Sequence, residues 1–315
     1  MALRLALMIE GQEGLTWDRW RRLARTAEDG GFESLFRSDH LTGLFGDASR
    51  PSLDLWASLT WLATATSRIR FGPLVAPLTF HHPALLAKHA AAVAELSAGR
   101  LDLGIGAGWH EGEHRMFGIP FPSLKERVDR LECGARAIRA LWTGKKVTLS
   151  QPYYPLVDAE SHPVPPGGRV PLIIGARGER RTLAIAAAHA DEWNITRVTF
   201  DEYAAKRRLL ETHCTAAGRD AHAIARSLMV PVIVGRTAAE ITARHARARA
   251  IFPRVPEDEA GWRAAGFLSG TPDRVVADLK RWESLGVQRV MLQILDMEDD
   301  PAMELLARDV VPACR

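Results

Sequence analysis

Cysteine is scarce in this 315-residue chain, and the three present, Cys133, Cys214 and Cys314, are far apart and form no CxxC pair. That pattern argues against a disulfide framework or a thiolate zinc site, and it suits a reducing, cytoplasmic setting. Long apolar runs are missing as well. The first apolar stretch, 2–9, is broken by Arg4 and closed by Glu10. No segment reaches the ~18 apolar residues of a membrane span, so neither a signal peptide nor a membrane partner is expected. Nor does one sign of charge dominate, since 41 Lys and Arg stand against 38 Asp and Glu, a net charge of +3. The charges are scattered, without the basic stripe that a nucleic-acid partner demands. With no linker-like stretch, second core pattern or repeat, 1–315 reads as one domain. The 47% hydrophobic and 25% charged composition is that of an ordinary globular protein, and a chain this long buries about three quarters of its unfolded surface.

Leu3, Leu5, Leu7 and Ile9 make a short apolar strand, after which Trp17, Trp20, Leu23, Ala24 and Ala27 recur at helical spacing behind an N-cap at Thr16. Strands are then predicted over 34–37, 69–78 and 101–106, and helices over 52–67 and 83–97, the second opened by Pro83. Ser123 and Glu126 make a capping box for a helix with Leu124, Val128, Leu131, Ala135, Ile138 and Trp142 on one face. Beyond it, 151–169 is rich in Pro and Gly and too irregular for a regular element, which gives an irregular insertion around 145–170. Four more strands follow, at 171–174, 192–195, 227–234 and 289–295, with helices at 178–189, 200–217, 237–250 and 271–285 and a last one from Pro301. Short apolar strands alternating with helices over this length predict an α/β fold, a (β/α)8 TIM barrel.

A barrel of this kind places its chemistry at the C-terminal ends of its strands. The polar residues that fall there are Glu10, Asp39, His40, Thr79, His81, His82, Trp109, His110, Glu111, Glu113, His114, Arg177, Asn194 and Gln293. Any one of them serves equally well as a helix cap or a loop hydrogen-bonder; together they would mark one mouth. Glycines at every second position in Gly104-Ile105-Gly106-Ala107-Gly108-Trp109 clear one face of a strand end, either for a flat ligand or to relieve crowding inside the barrel. The GxGxG spacing and its place in the chain do not match the dinucleotide fingerprint. A second glycine turn, Gly175-Ala176-Arg177-Gly178, runs from strand to helix and reads either as an anion site with Arg177 as added charge or as a plain tight turn. The segment 110–114, His-Glu-Gly-Glu-His, fits both HExxH and HxxEH. Gly112 within it and the lack of a third ligand at a recognised spacing weigh against a metal site. A zinc-dependent hydrolase using His110, Glu111 and His114 stays as the rival reading.

With these residues in hand, the chain resembles the bacterial-luciferase-like superfamily of (β/α)8 oxidoreductases, and within it the branch dependent on the deazaflavin coenzyme F420. The resemblance covers nearly the whole chain. Its marks are Ser38-Asp39-His40, Phe71-Gly72, Pro77, His81-His82-Pro83, the run from Ser97 through Trp109, the turn at Gly175 to Gly178, Ala190-Asp191-Glu192-Trp193-Asn194 and Gly270-Thr271-Pro272. It implies a cytoplasmic enzyme, a homodimer, that passes a hydride between bound F420 and a small organic substrate. The ring would lie against Asp39, His40, Leu74, Val75, Gly106, Ala107, Gly108 and Trp109, and the phosphate at Gly175, Ala176, Arg177 and Gly178. A non-prolyl cis peptide that props the ring would fall near Leu74-Val75. His40 is implied as the acid/base residue, its near-neutral intrinsic pKa suiting proton transfer, and Glu113 as a second catalytic group. Where a sugar-phosphate dehydrogenase branch has a catalytic glutamate after the glycines, this chain has Trp109. The alternative is an FMN-dependent luciferase-like monooxygenase, because reduced flavin activates oxygen and deazaflavin does not.

Overall fold

The computed structural model describes residues 2–45 and 47–315. In chain order its elements begin with β1 (Arg4–Ile9), α1 (Trp17–Asp29), β2 (Ser34–Arg37), α2 (Leu55–Ala65), β3 (Arg70–Pro73), β4 (Ala76–Pro77), α3 (Pro83–Leu96) and β5 (Leu103–Gly106). Next come α4 (Glu111–Met116), α5 (Leu124–Leu141), β6 (Val147–Leu149), β7 (Leu156–Ala159), β8 (Leu172–Gly175), α6 (Thr182–His189), β9 (Glu192–Thr196) and α7 (Phe200–Ala216). The last are β10 (Ala225–Val234), α8 (Ala238–Ile251), α9 (Glu259–Ala264), β11 (Leu268–Gly270), α10 (Pro272–Ser284), β12 (Arg289–Ile294) and α11 (Asp300–Leu305). Among the described residues no helix is long and apolar enough to cross a membrane.

The chain divides into two units, of which the first comprises Met1–Leu53, Asn194–Leu209 and Ala225–Arg315. Its strands pair in parallel in the order β2-β1-β12-β10-β11. The register sets Leu35, Leu7, Leu292 and Val230 in one row, every one of them buried. Strands β2 and β12 are buried along their whole length, so neither shows the apolar–polar alternation of a sheet with one solvated face. Helix α1 forms as its spacing predicts: Thr16 caps it by accepting from the Arg19 N–H, and Trp20, Leu23, Ala24 and Ala27 form its buried stripe.

The second unit comprises Asp54–Trp193 and Leu210–Ile224. Here β8, β5 and β4 pair in parallel, and β3 joins them through a bridge between Phe71 and Leu101. Ser123 caps α5, whose buried face carries Val128, Leu131, Ala135, Ile138 and Leu141. Arg100 ties the C-terminal end of α2 to the strands. Its guanidinium donates to Ala63 O at 2.7 Å, Thr66 O at 2.9 Å, Thr66 Oγ1 at 2.7 Å, Ile69 O at 3.0 Å and Ser97 O at 3.0 Å, and so satisfies carbonyls that a helix end leaves orphaned.

Several expectations are corrected. The strand predicted over 69–78 is two, β3 and β4, and the peptide bond Leu74–Val75 between them is cis. The segment around 145–170 contains regular structure after all, the antiparallel pair β6 and β7, closed by hydrogen bonds between Thr148 and Asp158. These strands are too short and too exposed to show an apolar alternation. Helix α6 starts at Thr182, not at residue 178. The elements α4, α9 and β11 were not expected, each being only six residues or fewer.

Candidate functional site

In the first unit, polar side chains gather at the C-terminal ends of β1, β2 and β12. Glu10 follows β1 directly and is half-buried; its Oε2 accepts from Gln12 Nε2 at 2.9 Å and its Oε1 accepts from Gln293 Nε2. Gln12 and Gln293 are buried, and Gln12 Oε1 in turn accepts from the hydroxyl of buried Ser38, whose Oγ receives the Gly11 N–H at 2.9 Å. Three residues along the chain, the Glu13 carboxylate is used differently. Only 1% exposed, it accepts the backbone N–H groups of Leu44 at 2.8 Å and Phe45 at 3.3 Å and pairs with Arg50 at 2.7 Å. Asp39 is buried and His40 half-buried, the His40 carbonyl accepting from Ser52 Oγ at 2.9 Å. Asn194, expected at a strand end, is instead spent in the strand layer, where its amide donates to Ser227 Oγ at 2.9 Å and to Met291 S at 3.3 Å. Gln12, Glu13 and Arg50 escaped the sequence reading, although Glu13 carries a signal, a second acid within four residues of a strand end.

In the second unit the glycine run of β5 lies against β3 and the residue after its cis bond. A Cβ on Gly104 would meet the Pro73 carbonyl and, at 3.1 Å, Val75 Cγ1; one on Gly106 would stand 2.6 Å from Val75 Cγ2. Gly175 of β8 faces the same side chain, its missing Cβ 3.5 Å from Val75 Cγ1. One isopropyl group therefore sits over three glycines, and the crowding account of the GxGxG spacing holds for Gly104 and Gly106. Gly108, at φ 75°, faces Thr79, and the Thr79 hydroxyl is a buried polar atom without a hydrogen-bond partner. Leu74 and Ala176 are buried, the Ala176 carbonyl accepting from Trp193 Nε1 at 2.8 Å. Trp109 is 60% exposed, its ring edge-on to His110 at 5.1 Å.

The motif at 110–114 does not present two histidines on one helical face. His110 lies outside α4 as its N-cap, its Nδ1 accepting the Glu113 N–H at 3.2 Å, while His114 Nδ1 meets the His110 carbonyl at 2.7 Å. Among the described residues no group of three His, Cys, Asp or Glu could hold a metal ion. Glu113 is buried, with its carboxylate 3.8 Å from His110 Nδ1. His82 is likewise a cap, accepting the Ala84 N–H at 3.3 Å in front of Pro83. At the second glycine turn Arg177 and Gly178 are exposed, and the Gly178 carbonyl accepts from Thr182 Oγ1 at 2.9 Å and Leu183 N at 3.1 Å.

Comparison with known proteins adds four findings. The family model described as luciferase-like monooxygenase matches residues 4–289. An uncharacterised protein of Mycobacterium tuberculosis is 31% identical over 275 residues, 81% of this chain and 88% of that one. An F420-dependent glucose-6-phosphate dehydrogenase of Nakamurella multipartita is 36% identical over 164 residues, 51% of this chain and 47% of its own length. Among solved structures, an F420-dependent secondary alcohol dehydrogenase in complex with an F420-acetone adduct superposes with a TM-score of 0.85 over 100% of both chains at 19% identity. The fold is accordingly the TIM barrel expected from the alternation of strands and helices.

Proposed function

Since the chain belongs to the luciferase-like monooxygenase family, we propose that it is an F420-dependent oxidoreductase that passes a hydride between the deazaflavin and a small organic substrate. The observation that carries this reading is the cleared strand end at Gly104, Gly106, Gly108 and Gly175, with Val75 laid over it and the unpartnered Thr79 hydroxyl beside Gly108. These residues fit a planar ring held against main chain, because no side chain of the strand end at Gly104, Gly106, Gly108 and Gly175 stands between such a ring and the backbone. F420-dependent relatives support the choice of cofactor, and whole-chain similarity supports reading 1–315 as a single luciferase-like domain.

The bound deazaflavin supplies hydride transfer and, unlike FMN, reacts little with oxygen. Leu74, Val75, Gly106, Ala107, Gly108 and Trp109 would hold the ring, Asp39 and His40 would flank it, and the turn from Gly175 to Gly178, with exposed Arg177, would take the phosphate. His40 would hold or release the proton that accompanies hydride transfer, and Glu113, buried beside His110, would be a second catalytic group, hydrogen-bonding the ring or the substrate. Trp109 offers an exposed indole face for stacking. A homodimer in the cytoplasm is the working form under this reading.

A side-by-side fluorescence titration of the purified protein with F420 and with FMN at fixed salt tests the proposal. Tight binding of F420 alone is the expected result; preference for FMN would convert the reading to a flavin monooxygenase, and binding of neither would sink it. His40→Ala should leave F420 affinity within about twofold and lower turnover by roughly 100-fold or more, the scale of general acid–base catalysis. Unchanged turnover would remove His40 from the mechanism.

A further inference from the structure

We propose that Glu10 is a specificity-determining residue, a carboxylate held ready to accept a hydrogen bond from the hydroxyl group of an uncharged substrate. The inference rests on the oxidoreductase reading above and goes beyond it by naming the substrate's recognised group.

The contrast between Glu10 and Glu13 carries the argument. An ionised carboxylate offers about four lone-pair positions. Three of those of Glu13 are taken up by two backbone N–H groups and the Arg50 guanidinium, whose charge it neutralises, with the side chain sealed from solvent. Glu13 is thereby committed to pinning Leu44, Phe45 and Arg50 to the end of β1. Glu10 receives only two donors, the side-chain amides of Gln12 and Gln293, and among the described residues no cation pairs with it. It keeps lone pairs to spare and remains half-exposed. Its donors are themselves buried and fixed: Gln12 by Ser38, Gln293 within β12.

A purely structural role would not call for this arrangement. Buried amides and a carboxylate at strand ends cost desolvation that apolar residues would avoid, and the C-terminal end of a barrel strand is where ligands are met. The two amide donors fix the carboxylate plane without neutralising it, so what is left over is a directed acceptor. An acceptor that lacks a cation suits a neutral O–H donor. An ammonium group, the other natural partner of a carboxylate, is the competing outcome of the test.

The test uses the protein loaded with F420 and two probes matched in ring and oxygen, cyclohexanol and its methyl ether, with cyclohexylamine as a third. Binding is read by calorimetry. Wild type should prefer the alcohol to the ether by about tenfold or more, the worth of a hydrogen bond to a charged acceptor. Glu10→Gln should bring the two within about twofold while F420 affinity holds, and Glu10→Asp, which keeps the charge, should restore a severalfold preference. A merely structural role would weaken both probes alike. Equal affinities for alcohol and ether in wild type would overturn the proposal even if no variant folds, and tighter binding of the amine would overturn the neutral-donor assignment. Failure of the protein to bind F420 at all would instead strike the oxidoreductase reading.

Discussion

The packing of Val75 over the glycines makes a sharp stability prediction. In Gly106→Ala the new methyl group would stand 2.6 Å from Val75 Cγ2, well inside a normal carbon–carbon contact of about 3.5–4.0 Å. Val75 cannot swing away cheaply, because its β-branched side chain has few χ1 choices. Overpacking of this kind costs about 1–3 kcal/mol, and about 2 kcal/mol is expected here. Val75→Ala on its own removes two methyl groups from a half-buried site and should cost about 1 kcal/mol. The double variant should lose much less than the sum, because alanine at 75 no longer carries the atom that alanine at 106 would strike; the expected coupling is about 1.5 kcal/mol in favour of the pair. Gly104→Ala behaves differently. Its methyl would meet the Pro73 carbonyl as well as Val75, so Val75→Ala should leave most of its cost in place. Urea denaturation of the four proteins in each cycle measures these values through the midpoint at constant slope. Additivity within about 0.5 kcal/mol for the Gly106 pair would refute the claim that Val75 is what that glycine accommodates.

Four further outcomes are expected. Arg100→Ala strips donors from five acceptors and should cost about 3 kcal/mol, since buried carbonyls are left unsatisfied; a loss under about 1 kcal/mol in denaturant titration would show that solvent replaces them. Burial, followed by the nearby Arg139, Arg136 and Arg219, pushes the His189 imidazole down from 6.5 to about 4. The unfolded chain therefore binds the proton first, and stability should fall as pH drops from about 6.5 towards 4 by some 1–2 kcal/mol after allowance for solvent screening; thermal melts of His189→Gln that keep the same acid slope would contradict this. All three cysteines are buried, and burial raises the Cys314 thiol to about 11, so a thiol reagent at pH 8 should label none of them until denaturant is added. Glu13→Gln leaves Arg50 without its carboxylate and weakens the acceptor of the Leu44 N–H, so hydrogen–deuterium exchange of the Leu44 amide should speed up by roughly tenfold, exchange at the wild-type rate counting against the anchoring role.

What the sequence made legible follows from how far apart the interacting residues are. The starts and buried faces of helices α1 and α5 could be read because their caps, Thr16 and Ser123, and their apolar stripes are local patterns. The start of α6 could not: Gly178 looks like a helix opener, yet Arg181 precedes the first helical residue without a side-chain cap, and the Thr182 hydroxyl turns back to the Gly178 carbonyl. The Leu74–Val75 cis bond came from resemblance; the apolar run 69–78 contains no local sign of it. The glycine spacing was visible, but its reason was not, because Val75 stands about 30 residues from Gly104 and Gly106 in sequence and 100 from Gly175. The same holds for Glu10, whose amide partner Gln293 is 283 positions away. Periodicity reports burial; it does not report which polar groups satisfy one another.

That distinction bears on how members of one fold come to differ in substrate. The glycine face and Val75 are main-chain and packing features, and altering them costs stability directly, so they suit a role common to all substrates, such as supporting a ring. Glu10, Gln12 and Gln293 are side chains at the tips of β1 and β12, where an exchange leaves the strand ladder untouched. A chain with tryptophan at 109 has no carboxylate directly after its glycines, and Glu10 is the acid with acceptor capacity unspent at the end of β1. If substrate choice resides in such tips, Glu10→Gln should change discrimination among hydroxylated compounds while leaving F420 affinity alone. Gly106→Ala should do the reverse, weakening F420 binding for every substrate equally. A Gly106 variant that altered substrate preference without altering cofactor affinity would break this division of labour.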